Sequence, residues 1–481
     1  MQRATKIVAT LGPACSEPAV LQRMIAAGVD VVRLNFSHGA AADHVDRAQM
    51  VRETAKKLGR AVAIMADLQG PKIRVGKFAE GKVALVSGQR FVLDAECELG
   101  DINQVGLDYK ELPHDVAPGV ILLLNDGLIR LRVEDVTGPR ITTVVELGGT
   151  LSNNKGINRM GGGLTAPALT AKDMDDVKTA AMLEADYLAV SFPKNKEDMY
   201  MARQLLRAAG GRALLIAKIE RAEAITYLSE IIDASDGIMV ARGDLAVEVG
   251  TATVPGLQKR MIRLARERNK LTITATQMME SMILAPVPTR AEVSDVANAV
   301  LDGTDAVMLS AETAAGKFPV ETVETMAQIC AEAEKSDTVQ LDRDFLNRTF
   351  TRVDQSIAMG ALFTAFHLKV KAIASLTQSG STALWMSRHN CGCPIYALTP
   401  ELSAQRKMAL YRNVQPLFLE QGDDRDRVLQ AAEDLLVANG QVQDGDLIVL
   451  TIGEPMGTSG GTNTMKIVQV GENRGAASAR G

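Results

Sequence analysis

Eight short apolar runs, many of them rich in β-branched residues, recur along this chain, and each is followed by a stretch with the pattern of a helix. The runs begin at residues 5, 30, 61, 186, 213, 236, 271 and 305. Strands that alternate with helices pair in parallel through crossovers, and eight such units close a (β/α)8 barrel. We therefore predict an α/β protein with a TIM barrel over residues 1–71 and 168–336.

One interval between these runs is far longer than the others. The starts are roughly 23 to 35 residues apart, but about 95 extra residues separate those at 61 and 186. The insert, residues 72–167, alternates short strand-like runs with Gly, Asp and Pro, which predicts a small β-barrel. Because the insert leaves the end of the third strand, we expect it to act as a lid over the carboxyl face of the barrel.

Residues 337–481 do not continue the regular spacing of strands and helices that predicts the barrel. After a polar stretch they have the pattern of helices and five strands, which predicts a third, open α/β domain. Gly, Ala, Ser and Arg dominate residues 471–481, so we expect this end to be frayed. With 46% apolar and 23% charged residues over 481 positions, the chain can bury several cores.

Charge and composition exclude several classes of function. A net charge of −5 and an aromatic content of 4% give neither the electrostatic footprint nor the stacking rings of a nucleic-acid-binding protein. No run approaches the roughly 18 apolar residues of a membrane span, and the first ten residues contain no apolar segment typical of a leader. We therefore expect a cytoplasmic protein with no nucleic-acid or membrane partner.

The five cysteines, an odd number spread over a long chain, fit reduced thiols better than a disulfide framework. Only the segment with His389, Cys391 and Cys393 has a spacing that suits a metal. A zinc knuckle needs a second ligand pair at suitable spacing, and none follows. We interpret this segment as a loop with incidental thiols.

Polar residues follow most of the predicted barrel strands, and the carboxyl ends of all eight strands meet at one face of a barrel. These residues are Arg33, Asn35, Ser37 and His38 after the second strand, Asp67 after the third, Lys218 and Glu220 after the fifth, Arg242 and Asp244 after the sixth, Thr276 and Gln277 after the seventh, and Ser310 and Glu312 after the eighth. Four carboxylates, two arginines and a lysine are thus predicted to converge.

Glu220 and Asp244 are the carboxylates that suit a metal, because two hard oxygen ligands with room for water and substrate oxygens are typical of Mg²⁺ in phosphoryl-transfer sites. The alternative is an ion pair of these carboxylates with Lys218 or Arg242. Phosphoryl transfer requires concentrated positive charge, which Arg33, Lys218 and a metal would supply together. The residues therefore favour a phosphate ester as the substrate.

Six segments, in this order, resemble those of the pyruvate kinase family: residues 5–13, 33–39, 67–74, 241–244, 275–282 and 308–313. The resemblance covers nearly the whole chain, including the insertion after the third strand and the C-terminal domain. It extends to bacterial members without an N-terminal extension, since the first strand begins almost at Met1. The resemblance implies a glycolytic enzyme that transfers a phosphoryl group from phosphoenolpyruvate to ADP, giving pyruvate and ATP, with Mg²⁺ or alternatively Mn²⁺.

The resemblance also implies a role for each residue of the barrel mouth. Arg33 binds the phosphate of phosphoenolpyruvate, Lys218 stabilises the phosphoryl group in transfer, and Glu220 and Asp244 hold Mg²⁺. The backbone amides around Ala241, Arg242 and Gly243 receive the substrate carboxylate, and Thr276 completes that pocket. Thr276 and Ser310 are the candidates for the relay that protonates enolpyruvate, although hydroxyl groups at strand ends are common without such a role.

For the nucleotide, the resemblance assigns Asn35, Phe36, Ser37, His38, Arg74 and Lys155 to the phosphates of ADP or ATP. Without regard to its position, Lys155 would be interpreted as a solvent-exposed lysine in a turn. It lies near the point where the chain passes from the lid back to the barrel, and this position favours a contact with the nucleotide. We interpret His38 as a structural neighbour of the nucleotide rather than as a base.

A departure from the family concerns potassium. Many members require K⁺, bound by side chains that match Asn35, Ser37 and Asp67 and by the carbonyl at the position of Leu68, and these members commonly have Glu where this chain has Lys72. We expect the Lys72 ammonium to replace the monovalent ion, so that K⁺ is not required. Weak K⁺ binding without a kinetic requirement, or a pairing of Lys72 with a lid carboxylate, are the alternatives.

A second candidate site lies in the C-terminal domain. Thr377, Gln378, Ser379, Gly380, Ser381 and Thr382 follow a strand and open a helix, which provides a cradle for a phosphate group. The matching family loop holds effector phosphates, and residues 457–463 are placed to close over the ligand. We expect activation by a phosphorylated metabolite such as a sugar monophosphate or AMP, with an ordinary helix cap as the alternative. The family also implies a homotetramer.

Two other functions are alternatives to pyruvate kinase activity. A Mg²⁺-dependent barrel lyase or mutase acting on phosphoenolpyruvate or pyruvate would share the carboxylates and an arginine. It would not need a nucleotide site, so Arg74, Lys155 and the lid argue against it. A catalytically dead sugar-phosphate sensor is disfavoured because no catalytic position is lost.

Overall fold

A closed ring of eight parallel strands forms the barrel, as predicted. The structure is a computed structural model, and it describes residues 3–336, 349–422, 424–458 and 460–472. The first elements of the barrel are β1 (Lys6–Thr10), α1 (Pro18–Ala27), β2 (Val31–Asn35), α2 (Ala41–Lys57) and β3 (Ala63–Asp67). The strand residues are mostly buried because helices cover the outside of the ring.

The insert begins after β3 and contains mostly strands. These are β4 (Lys77–Phe78), β5 (Lys82–Leu85), β6 (Arg90–Asp94), β7 (Leu99–Gly100), β8 (Gln104–Val105), the short helix α3 (Leu112–Asp115), β9 (Ile121–Leu124), β10 (Ile129–Thr137), β11 (Arg140–Leu147), β12 (Gly149–Ser152) and β13 (Ile157–Arg159). One six-stranded sheet and two two-stranded sheets enclose a common apolar core. Several strands span only two residues, too short to continue pairing around a full ring, so the predicted small barrel is divided into separate sheets.

The chain then returns to the barrel. The elements are α4 (Ala171–Met182), β14 (Tyr187–Val190), α5 (Lys196–Ala208), β15 (Leu214–Ile219), α6 (Ala222–Thr226), α7 (Leu228–Ala234), β16 (Gly237–Ala241), α8 (Arg242–Val249), α9 (Val254–Glu267), β17 (Leu271–Ala275), α10 (Arg290–Leu301), β18 (Ala306–Leu309), α11 (Ala311–Ala314) and α12 (Pro319–Lys335). Pairing of β1 with both β2 and β18 closes the ring. All eight strands therefore end at one face, where β3 leads into the insert.

The C-terminal part forms an open α/β sheet, as predicted. Its elements are α13 (Val353–Leu368), β19 (Ala372–Leu376), α14 (Ser381–Ser387), β20 (Ile395–Thr399), α15 (Leu402–Met408), β21 (Val414–Phe418), α16 (Arg425–Ala438), β22 (Leu447–Gly453) and β23 (Thr462–Gln469). The strand order is β21-β20-β19-β22-β23, with only β23 antiparallel. Residues 337–348, assigned above to this domain, and the end expected to be frayed, from 473 onward, lie outside the described residues.

Buried ion pairs connect the C-terminal domain to the amino ends of the barrel strands. Asp305 precedes β18, and its carboxylate accepts both terminal nitrogens of Arg388, with Nη1 2.9 Å from Oδ2. Asp186 precedes β14 and accepts Arg406 Nε at 2.9 Å. These contacts place the C-terminal domain at the end of the barrel opposite the lid. Among the described helices, none is both long enough and apolar enough to cross a membrane.

Candidate active site

Lys218 lies at the centre of the polar cluster at the carboxyl face of the barrel. Near the end of β15, its Nζ lies 3.2 Å from Asp67 Oδ1 and 3.1 Å from Glu220 Oε1, and it donates to Ser191 Oγ at 2.7 Å. Burial lowers the pKa of Lys218, but the carboxylates of Asp67 and Glu220 outweigh burial and raise it above its usual value. Lys218 is therefore a buried, charged ammonium at neutral pH.

Arg33 approaches the same cluster from β2. Its Nε donates to Asp67 Oδ2 at 2.6 Å, and its Nη1 donates to Thr10 Oγ1 at 3.1 Å. Burial raises the pKa of Asp67, but Lys218 and Arg33 together hold it below its usual value. The Asp67 carboxylate thus holds an arginine and a lysine side by side, which concentrates positive charge at one point.

Glu220 and Asp244 carry negative charge next to this point. Burial raises the pKa of Glu220 to about 7, and the nearby carboxylates of Asp244 and Asp67 add to this rise against the opposing effect of Lys218. The amide of Phe192 donates to Glu220 Oε2 at 2.9 Å. A cation between Glu220 and Asp244 would relieve the repulsion, so this donor set fits a divalent ion. No group of three or more metal-type side chains occurs among the described residues, so water or substrate oxygens would complete the coordination.

Lys72 pairs with one of these carboxylates. Its Nζ lies 3.0 Å from Asp244 Oδ1, and both side chains are partly exposed. The partner is a barrel carboxylate, the same one that the sequence analysis assigned to the metal, rather than a carboxylate of the lid. A fixed positive charge therefore lies beside the candidate metal site.

The segment from Ala241 to Gly243 forms the junction between β16 and α8, as a site for a substrate carboxylate would require. The Gly243 amide donates to Thr276 Oγ1 at 2.9 Å, and the Thr276 hydroxyl donates to the Ala275 carbonyl at 2.6 Å. Thr276 has a φ of +68°, a left-handed conformation that a β-branched residue rarely adopts. The structure therefore brings Thr276 against the amides with which the sequence analysis grouped it.

The Arg242 side chain has a different role from Arg33, although sequence reasoning counted both among the converging cations. Its terminal nitrogens lie 2.8 and 2.7 Å from the carboxylate oxygens of Asp295 on α10, and Nη2 donates to the Thr276 carbonyl at 2.8 Å. The guanidinium thus braces the loop after β17. Only the backbone of Arg242 remains for the predicted carboxylate pocket.

Ser310 directly precedes α11, and its amide donates to Glu312 Oε2 at 2.7 Å. The other oxygen of Glu312 accepts the Met279 amide at 3.2 Å, so this buried carboxylate supports the loops after β17 and β18. Sequence reasoning missed the supporting residues Ser191 and Asp295. Ser191 follows β14 directly and was detectable by the same strand-end rule, whereas Asp295 on α10 carried no such signal.

The predicted nucleotide residues divide into two groups. The Phe36 amide donates to the Asp67 carbonyl at 2.9 Å, the Ser37 amide donates to Asn35 Oδ1 at 3.2 Å, and His38 is exposed. Arg74 donates to the Asn154 carbonyl at 3.1 Å, and the carbonyl of Lys155 accepts the Val75 amide at 2.9 Å. The structure thus places Arg74 beside the Lys155 turn at the base of the lid, while the other group lies at the barrel mouth.

Three of the four oxygens assigned to K⁺ already have partners. The Asp67 carboxylate binds Arg33 and Lys218, as described above, and the Leu68 carbonyl accepts Ser191 Oγ at 2.7 Å. Asn35 Oδ1 accepts the Ser37 amide. Asn35, Asp67 and Leu68 are therefore close in the fold, and their oxygens are engaged with the protein itself.

An open cleft of about 780 Å³ lies between this cluster and the lid. Asp244 and Thr276 line it on the barrel side, and Lys72, Leu123 and Arg130 line it on the side of the insert. A ligand in this cleft would contact both the barrel and the insert.

The predicted effector segment borders a second pocket. Thr377 Oγ1 accepts the Gly380 amide at 2.9 Å, and Thr382 Oγ1 lies 2.8 Å from Thr462 Oγ1. Gln378 donates to Glu401 at 3.0 Å, and the hydroxyls of Ser379 and Ser381 are 3.4 Å apart. Segment 376–378 and loop 457–462 both line the pocket, so the fold brings together the two segments that we predicted; Ser459 in this loop lies outside the described residues.

The structure is that of a TIM-barrel enzyme with an inserted β domain and a strongly charged cleft suited to phosphoryl transfer. A family model described as "Pyruvate kinase, barrel domain" matches residues 2–323, and one described as "Pyruvate kinase, alpha/beta domain" matches residues 355–468. The chain belongs to the pyruvate kinase family.

Curated relatives support this assignment over nearly the whole chain. A protein named pyruvate kinase II, from Salmonella typhimurium, is 54% identical, and the match covers 97% of this chain and 99% of that protein. A pyruvate kinase from Haemophilus influenzae is 51% identical, over 94% of this chain and 96% of the relative. The family implies phosphoenolpyruvate, ADP and pyruvate as substrates and products, and dependence on a divalent metal.

Proposed function

We propose that this enzyme transfers the phosphoryl group of phosphoenolpyruvate to ADP with Mg²⁺, or alternatively Mn²⁺, held by Glu220 and Asp244. The observation that carries the proposal is the position of Lys218 between Asp67 and Glu220, with Arg33 on the other oxygen of Asp67. The bound ion would neutralise charge on the phosphoryl and enolate oxygens. The glycolytic role follows from these substrates.

The two cations have different tasks in this proposal. Arg33 uses Nε and Nη1 in its contacts with the protein, so its planar guanidinium keeps other N–H groups for the oxygens of the substrate phosphate. Lys218 is a compact charge held in place by three partners, and it stabilises the charge that develops on the phosphoryl group in transfer. Because both are fixed before the substrate binds, little reorganisation is needed during the reaction.

The substrate carboxylate binds where α8 begins. The amides of Ala241, Arg242 and Gly243 lie at the positive end of this helix, and the Thr276 hydroxyl adjoins them. The Gly243 amide then exchanges Thr276 Oγ1 for a carboxylate oxygen. Thr276 and Ser310 form the proton relay to enolpyruvate in this proposal.

The nucleotide binds across the cleft between barrel and lid. Arg74 and Lys155 contact its phosphates from the base of the lid, and the segment Asn35–His38 contacts them from the barrel. The insert over residues 72–167 acts as the lid that excludes water once both sides are in contact with the nucleotide. Lys72 provides the charge of a monovalent ion, so K⁺ is not required for turnover even where Asn35, Ser37, Asp67 and the Leu68 carbonyl bind it weakly.

Regulation and assembly complete the proposal. A phosphorylated metabolite binds at residues 377–382 under the loop 457–463 and activates the enzyme. The exposed apolar residues Phe363 on α13 and Ile467 on the edge strand β23 suit contact with a second copy, in line with a homotetramer. We expect the enzyme to act in the cytoplasm.

The decisive experiment is a coupled assay for ATP formation with the full-length protein. Phosphoenolpyruvate and ADP should give ATP and pyruvate only when a divalent ion is added. Pyruvate formation that does not depend on ADP, or rearrangement of phosphoenolpyruvate without ATP, would instead support the lyase or mutase alternative. Inertness towards all of these substrates would support the sensor.

A further inference from the structure

Cys391 and Cys393 lie side by side in the loop between α14 and β20. Their Sγ atoms are 3.5 Å apart, and both residues are at least nine-tenths buried. Gly392 between them has a φ of +79°, a backbone conformation that residues other than glycine rarely adopt. This turn brings the two thiols onto the same side. Within the described residues, this is the one pair of cysteine sulfurs in hydrogen-bonding contact.

A cleft borders the Cys393 side of this pair. Gly392 and Cys393 line a cleft of about 750 Å³ between the barrel and the C-terminal domain. Four cationic residues line this cleft, and they outnumber the two acidic residues that line it. The cationic residues are Arg266, Lys369, Lys371 and Arg412, and the acidic residues are Glu334 and Asp446. The thiolate is the reactive form of cysteine.

The two thiols differ in acidity. The hydrogen bond from Cys393 lowers the pKa of the Cys391 thiol despite burial, and the same bond together with burial raises the pKa of Cys393. One sulfur of the pair therefore ionises more readily while its neighbour keeps the proton. This asymmetry is typical of dithiols that exchange between thiol and disulfide.

The loop that carries the pair is linked to the barrel at both ends, through Asn413 at one end and directly at the other. The Cys393 carbonyl accepts Asn413 Nδ2 at 2.8 Å, and the Asn413 amide donates to the Ala4 carbonyl of the barrel at 2.9 Å. At the start of the loop, Arg388 forms the buried ion pair with Asp305. A change in the loop is therefore transmitted to the junction of the two domains.

We propose that Cys391 and Cys393 form a reversible disulfide when a peroxide oxidises them, and that this bond loosens the contact between the C-terminal domain and the barrel. To form the bond, the sulfurs must approach from 3.5 Å to about 2.05 Å. The approach pulls the Cys393 carbonyl away from its place opposite Asn413. The outcome is a redox-sensitive site away from the catalytic cluster.

The chemistry requires one peroxide and two thiols. One thiolate attacks a peroxide oxygen, the O–O bond breaks, and a sulfenic acid and hydroxide form; the hydroxide takes up a proton to become water. The second thiol gives up its proton, and its sulfur attacks the sulfenic sulfur; the S–S bond forms, the S–O bond breaks, and the departing hydroxide takes up a proton to leave as a second water. The two electrons released by the thiols reduce the peroxide, and an added dithiol reverses the reaction.

Mass spectrometry of the full chain treated with hydrogen peroxide tests the modification. The peptide with both cysteines should lose two hydrogen atoms, and dithiothreitol should restore them. The same loss should occur in Cys97→Ser, which removes a thiol elsewhere. It should not occur in Cys391→Ser or Cys393→Ser, where a dimedone adduct should mark the remaining sulfenic acid. Irreversible addition of oxygen at these cysteines in the wild type, or a loss that persists in Cys391→Ser, would overturn the proposal.

Hydrogen exchange tests whether the disulfide loosens the contact between the C-terminal domain and the barrel. In the oxidised wild type, the amide of Asn413 should exchange about two- to tenfold faster, the range that loss of one ordinary hydrogen bond allows. Peroxide should not change this rate in Cys391→Ser, or in Cys391→Ala if the serine variant fails to fold. A disulfide that forms without any change in exchange would refute the coupling to the barrel.

Discussion

Lys72 Nζ lies 3.0 Å from Asp244 Oδ1, so the lysine at the start of the lid holds a carboxylate that we assign to the divalent metal. The pair joins the insert to the barrel across the cleft. It also places a protein cation beside the proposed metal site, where we propose that it replaces a monovalent ion. The presence of lysine at position 72 therefore predicts that turnover does not require K⁺, which can be tested.

Lys72→Glu should convert the enzyme into one that needs K⁺. The variant should lose about tenfold or more in turnover in tetramethylammonium buffer, the scale of one electrostatic stabiliser, and K⁺ should restore part of it. The wild type should respond little to K⁺ under the same conditions. Lys72→Met serves as a control that removes charge without reversing it. Strong K⁺ stimulation of the wild type, or indifference of Lys72→Glu to K⁺, would show that Lys72 is not the substitute cation.

Lys218→Ala should reduce kcat by at least about 100-fold while the protein still folds, because the ammonium acts most strongly on charge that develops in the transition state. Steady-state kinetics with a melting curve measures both effects. Lys196→Ala is the matched control, since that exposed lysine pairs only with Glu230 on the outer helices. Retention of activity within about tenfold would contradict the assigned role.

Glu248 predicts a pH dependence of stability that does not involve the catalytic cluster. Burial raises its pKa to about 7, with the Glu223 carboxylate adding to the rise, and its Oε2 accepts the Ala222 amide at 2.9 Å. Because the folded state binds this proton more tightly than the unfolded state, folding loses stability as the pH rises from about 4.5 to about 7. Glu248→Gln should remove this loss.

Thermal melts from pH 4.5 to 8 check this expectation. Glu248→Gln should resemble the wild type at pH 4.5 and be more stable at pH 8 by roughly 1–3 kcal/mol. Glu230→Gln, on the exposed side of α7, should show no such divergence. A Glu248→Gln variant that is destabilised to the same extent at every pH would mean that its contacts, and not its ionisation, dominate.

Ser381→Glu should abolish activation by phosphorylated metabolites while basal turnover stays within about twofold, because a carboxylate at the start of α14 repels a phosphate group. The measurement is the half-saturation for phosphoenolpyruvate with and without sugar monophosphates or AMP. Ser356→Glu, an exposed serine on α13, is the control. If no metabolite shifts the half-saturation of the wild type, the segment is an ordinary helix cap.

Much of the fold was predictable because each barrel strand can be recognised from a short apolar segment of the sequence. Runs such as Lys6–Thr10 and Ala63–Asp67 are apolar on both faces, and the polar residue that ends each run identifies the mouth of the barrel. The sheets of the insert were less predictable, since strands as short as Lys77–Phe78 have too few residues for a periodic pattern.

The class of fold, the family resemblance and the types of residue at the barrel mouth follow from the sequence alone, because these depend on local periodicity and on order along the chain. Which charges meet, in contrast, depends on the tertiary structure. Arg33 and Lys218 share Asp67, whereas Arg242 turns to Asp295 and Lys72 reaches Asp244. These pairs join residues far apart in sequence, and a side chain selects its partner through distance and burial, which no local pattern encodes.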